Sequence, residues 1–72
     1  MGEVTGRVEK AIRGLISSGV LAPGARLPSE RQLVADLGVG RTTVRLVLAK
    51  LAAEGLVRSE HGRGYFVCEA AR

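Results

Sequence analysis

The sequence predicts a mainly α domain in which three helices are followed by a small β-hairpin. Three observations carry that prediction. Apolar residues recur at helical spacing in three separate stretches of a 72-residue chain. Breaks at Gly19, at Ala22-Pro23-Gly24 and at Gly38-Val39-Gly40 divide those stretches. Two short runs, Leu56 to Glu60 and Tyr65 to Glu69, then flank a glycine-rich tip, His61-Gly62-Arg63-Gly64.

The first helix rests on Val4, Val8, Ile12, Leu15 and Ile16, with Arg7, Lys10 and Arg13 on its other faces. Gly6 and Gly14 weaken it locally, and it should stop at Gly19. Ala25-Arg26-Leu27 is expected to be extended, because Pro28 disfavours helical geometry at the residue before it. Ser29 can cap the second helix, and Gln32 three residues on would complete a capping box. Leu33, Val34 and Leu37 are its apolar stripe. The third helix begins near Arg41 and should end at Gly55. Its core face is Val44, Val47, Leu48 and Leu51, at i, i+3, i+4 and i+7. Thr42, Leu46, Ala49 and Ala53 lie opposite, with Arg41 and Arg45 along one flank. This order is that of a three-helix winged helix-turn-helix. No internal repeat or linker divides the chain, so residues 1–72 are expected to be one domain.

Composition narrows the function classes. Eleven Lys and Arg against seven Asp and Glu give a net charge of +4, which attracts polyanions. One Phe, one Tyr and no Trp argue against an aromatic platform for single strands. The basic residues are spread over several elements rather than along one strongly amphipathic helix, which argues against a membrane surface. The most apolar run, Val44 to Ala53, is interrupted by Arg45 and Lys50 and is too short to span a bilayer. The single cysteine, Cys68, cannot form an intrachain disulfide and reads as a strand residue rather than a nucleophile. A cytoplasmic setting is expected. One histidine gives a histidine-based metal site no second histidine ligand, and no metal or cofactor is expected. Gly38-Val39-Gly40 is not a dinucleotide fingerprint, since a helix precedes it and Thr43 stands where the third glycine belongs. A chain this short can hardly enclose a catalytic pocket, so no enzyme activity is expected.

The residues that point to a function sit at the start of the third helix and on the hairpin. Arg41 and Arg45, four apart, project from one side of its first turns. An arginine there can take guanine O6 and N7 as a bidentate pair or clamp a phosphate. Thr42 and Thr43 can each bond a phosphate or simply fill the turn. Arg31, in the first turn of the second helix, opposes the helix dipole, which suggests outward reach to an anion. Gly62 and Gly64 supply turn geometry and also allow close backbone approach. His61 and Arg63 flank that approach. Duplex DNA is the partner these features favour. The rival class is a protein-interaction module centred on Leu46; salt dependence separates the two.

The ordered markers Pro23-Gly24, Leu27-Pro28-Ser29-Glu30-Arg31, Leu37-Gly38-Val39, Arg41-Thr42-Thr43-Val44-Arg45, Glu54-Gly55-Leu56-Val57 and Gly62-Arg63-Gly64 before Phe66-Val67 resemble the DNA-binding domain of the GntR family of bacterial transcription regulators. The resemblance runs from the first helix to Val67. It implies a dimeric regulator, taken here as a repressor on a palindromic operator, with its recognition helix in the major groove and its wing in the minor groove. It carries DNA contacts onto Arg31, Arg41, Thr42, Thr43, Arg45, His61, Gly62 and Arg63. Two positions depart from the family pattern. Gly40 replaces the usual Ser or Thr before the recognition-helix arginine, and Leu46 replaces the usual Glu. Leu46 could meet a thymine methyl or a neighbouring protein. The family's effector and dimerisation domain is expected to be absent from this chain, and with it any small-molecule effector site. A monomer or weak homodimer is therefore expected in solution, with two copies pairing on DNA about 34 Å apart.

Overall fold

The computed structural model describes residues 2–68. Helix α1 spans Gly2–Ser17, α2 Glu30–Leu37 and α3 Arg41–Ala53; strands β1, Val57–Glu60, and β2, Gly64–Val67, form an antiparallel hairpin. The expected order and periodicities hold. All four predicted core residues of α3 are buried. Around them pack Val8 and Ile12 of α1, Leu33 of α2, Leu27 from the extended stretch, and Val57 and Val67 from the hairpin. Val4 is a correction. It belongs to the apolar stripe of α1 by spacing, yet it is exposed, in the first turn of that helix.

The cap on α2 forms only by half. The Gln32 backbone N–H donates to Ser29 Oγ at 3.0 Å, as expected. The Gln32 side chain does not reach back to close the box. Its Nε2 donates instead to Asp36 Oδ1 at 2.8 Å, one turn on, in a charge-assisted bond that turns the amide away from the Ser29 N–H. Helix α3 ends in the bond pair of a Schellman motif, Gly55 N–H to the Ala52 carbonyl and Leu56 N–H to the Leu51 carbonyl, both 3.0 Å. That motif turns the chain directly into β1.

The hairpin has a second partner. Arg26 makes an isolated antiparallel bridge to Phe66. Leu27 N–H donates to the Tyr65 carbonyl and Val67 N–H to the Ala25 carbonyl, each at 2.8 Å. Strand β2 is therefore bonded on both sides, to β1 and to the stretch before α2. Two strand limits also differ from expectation: β1 begins at Val57 and β2 at Gly64, while Glu69 lies outside the described residues. Half-buried Cys68 follows β2 and donates its N–H to the Leu56 carbonyl at 2.9 Å. No helix among the described residues is long and apolar enough to cross a membrane.

A charged cluster ties α1 to the far end of α3. Glu9 accepts from Lys50 Nζ at 3.0 Å and from Arg13 Nε at 2.7 Å, and Arg13 also pairs with Glu54. The hydrogen bond from Lys50, and then that from Arg13, hold the Glu9 carboxyl below its ordinary range. A carboxylate with a lowered folded-state pKa adds stability above its unfolded value, and that stability is lost as pH falls through the folded value. Glu9→Gln is thus expected to melt below the wild type at pH 7, with the gap closing as pH drops well below 4. Thermal melts of both proteins across pH 2.5–7 read this out. A gap that is constant with pH would leave Glu9 without the role.

Candidate nucleic-acid interface

Two turns of α3 decide what the surface can do. Its apolar face is driven into the core, which fixes the opposite face outward. Thr42, Arg45, Leu46 and Ala49 are exposed there, and Thr43 is half-buried beside them. The helix itself supplies no group that neutralises its positive end. Gly40 gives no side-chain cap, and the first turn carries no acidic residue but does carry Arg41. Arg41 therefore adds its charge to the partial positive charge of the helix terminus. That arrangement is mildly unfavourable for the free helix and favourable for a bound anion.

Arg31 and Arg41 come together. They line a hollow of about 300 Å³ between the start of α2, the start of α3 and the base of the hairpin. Glu30, Gly64 and Tyr65 share its wall, and so does Arg26. Among the described residues, none of the three guanidinium groups of Arg26, Arg31 and Arg41 has an ion-pair or hydrogen-bond partner. Glu30, the acid in the same wall, is turned to Arg45 Nε at 3.5 Å. Glu30 neighbours Arg31 in the chain, where it could offset that charge locally. In the fold it reaches across to α3 instead.

Arg26 is the residue that sequence reasoning missed. The stretch 25–27 was legible as extended, but its pairing with β2, some forty positions away, has no local signature. That pairing lays the Arg26 side chain over Gly64. A Cβ built at Gly64 would sit 3.3 Å from Arg26 Nε, and Gly64 has φ +112°, which side chains other than glycine rarely adopt.

The hairpin tip is His61-Gly62-Arg63, all exposed. Arg63 N–H donates to the Glu60 carbonyl at 2.8 Å and closes the turn. Gly62, at φ +74°, takes the third turn position, where that sign of φ favours glycine. No Cβ built at Gly62 would meet another atom, so its surroundings leave the backbone open to approach. Behind the tip, Arg58 donates to Glu60 at 2.7 Å and lies 5.6 Å from the centroid of the Phe66 ring. The Arg58 hydrogen bond holds the Glu60 carboxyl below its ordinary range. The tip itself thus presents His61 and Arg63, with the wing's acid already engaged by Arg58.

The eight residues expected at the interface therefore form two groups. Arg31, Arg41, Thr42, Thr43 and Arg45 gather around the starts of α2 and α3. His61, Gly62 and Arg63 form a separate projecting tip, and the Arg26-lined hollow lies at the base of that wing.

Comparison with known proteins agrees with this geometry. Over 63 residues, 88% of the chain, it is 44% identical to the histidine utilization repressor of Klebsiella aerogenes, of which that stretch is 26%. Over 58 residues, 81% of the chain, it is 45% identical to the fatty acid metabolism regulator protein of Vibrio cholerae, of which that stretch is 21%. The chain thus spans about a quarter of the length of the curated relatives it matches. The crystal structure of AraR(DBD) in complex with operator ORR3 superposes with a TM-score of 0.87 at 32% identity, over 90% of this chain and 78% of that one. The family model for bacterial regulatory proteins, gntR family, matches residues 4–67, and the chain belongs to that family.

Proposed function

We propose that this domain binds duplex DNA sequence-specifically and regulates transcription in the cytoplasm, acting as a repressor on a palindromic operator. The observation that carries the reading is the alignment of two surfaces. The outward face of α3 offers groups suited to base edges, and the adjoining hollow offers three arginines that have no partner among the described residues and are suited to a phosphate. Arg41 and Arg45 read or clamp the major groove. Arg31, Thr42 and Thr43 fix the register on the backbone. His61, Gly62 and Arg63 meet the minor-groove edge. Arg26 joins Arg31 at the phosphate between helix and wing. The hollow suits holding an anion rather than catalysis, since its one carboxylate is engaged by Arg45. The names of the relatives support repression, and the operator complex of AraR supports the duplex as partner. Residues 1–72 act as one DNA-binding domain, and two copies pair on the operator.

Selection of bound duplexes from a random pool, followed by a salt titration on the winner, tests this. Each neutralised phosphate contributes a slope of about −0.9 in log affinity against log salt. A steep negative slope is expected, and Arg26→Ala should make it shallower by about one unit while weakening specific and random duplexes alike. A wild-type slope near zero would reject DNA as the partner and favour an apolar protein contact. An unchanged slope in the variant would remove Arg26 from the interface.

A further inference from the structure

We propose that Leu46 reads thymine in the operator by packing against the C5-methyl group in the major groove. The inference rests on the DNA-binding reading above and assigns that site a base preference.

Leu46 is a large apolar side chain left 60% exposed, on the helix whose other large apolar residues are fully buried. Its position explains the exposure. At about 100° per residue, Val44, Val47, Leu48 and Leu51 set the inward direction, and Thr42, Leu46 and Ala49 fall on the opposite crest. Arg45 lies on the flank of that crest. Leu46 stands one turn beyond Thr42 and projects furthest of the crest residues, since its neighbours Thr42 and Ala49 are small. An inserted helix carries its crest deepest into the groove.

The occupant follows from chemistry. The thymine methyl is the one apolar group that an unmodified major groove presents. Helix α3 contains no Asp or Glu, so it offers no carboxylate to accept from cytosine N4. Exposed Arg45 lies just before Leu46 and exposed Lys50 one turn after it, which complements a polyanion and not an apolar protein patch. Leucine can neither donate to nor accept from a base edge. Burial against a methyl is the favourable interaction left to it.

The test uses the selected duplex with each thymine under α3 replaced in turn by deoxyuridine, which removes only the methyl. Wild-type affinity is expected to fall about fourfold at one position per half-site, the loss expected for one methyl-sized apolar group left in water. Leu46→Ala should bind the thymine duplex weakly by a similar factor, with no further loss on the uracil duplex and an unchanged melting temperature. Leu46→Met should retain the preference. A selected motif without thymine under α3 overturns the proposal. So does indifference of the wild type to every replacement, or an equal thymine preference in Leu46→Ala. Those failures leave steep salt-dependent binding intact, whereas loss of that binding in the wild type rejects the underlying reading instead. A change in the sedimentation of free Leu46→Ala would also overturn it, because Leu46 would then be a protein contact.

Discussion

The Arg41→Ala/Arg45→Ala double variant is expected to bind its operator at least about thirtyfold more weakly than the wild type while melting at nearly the same temperature. Each side chain is exposed, and neither touches the core. Arg41 has no partner among the described residues. Arg45 has one, Glu30, at 3.5 Å with its own side chain 64% exposed. Ion pairs that open to solvent are worth about 0–1 kcal/mol, so Arg45 is readily exchanged onto DNA. Loss of a guanine or phosphate contact removes about 1–3 kcal/mol per arginine. Titration of the selected duplex with each single variant and the double variant measures the effect, beside circular-dichroism melts. Wild-type affinity in a folded double variant would remove the start of α3 from the reading surface.

Leu48→Ala acts on the same helix with the opposite outcome. Leu48 is fully buried, with Val44, Val47 and Leu51 around it on the inward face. Truncation of a buried leucine costs about 2–5 kcal/mol, because the cavity left behind collapses only in part. A domain of this length holds about 4–11 kcal/mol in total, at the usual stability per residue. The substitution is therefore expected to lower the melting temperature by about 8–40 °C and to reduce the folded, DNA-binding fraction near 37 °C. Urea denaturation at 10 °C and 37 °C follows both effects. A drop of only a few degrees would mean that α3 is not the keystone of the core.

What was legible in the sequence follows from how local each signal is. The core face of α3 was visible because four apolar residues at helical spacing permit one arrangement of that helix. The Gly62 turn was visible because a positive φ at a hairpin tip calls for glycine. The Ser29 cap was visible because it spans three residues, but the bond of Gln32 to Asp36 was not. That choice depends on whether the Gln32 amide reaches back to accept from the Ser29 N–H or forward to donate to Asp36, and spacing alone does not rank the two. The other features that stayed hidden were long-range. The bridge from Arg26 to Phe66, the pair of Glu30 with Arg45, and the cluster of Glu9, Arg13, Lys50 and Glu54 each join separate elements. For the site, the resemblance and the helix position supplied Arg31, Arg41 and Arg45. Arg26 needed the fold, because only the pairing of its stretch with β2 carries it to the hollow.

The division of α3 into an inward and an outward face has an evolutionary consequence. Positions 42, 45, 46 and 49 can be rewritten by mutation with little effect on folding, whereas 44, 47, 48 and 51 are held fixed by the core. A gene duplication would give two copies with the same tolerance for change on one side of the helix. One copy could then acquire a different operator through a few single-residue steps, each passing through a protein that still folds. Diversification of targets on this scaffold is expected to be recorded in the outward face, while the inward face keeps its residues across regulators of unrelated genes.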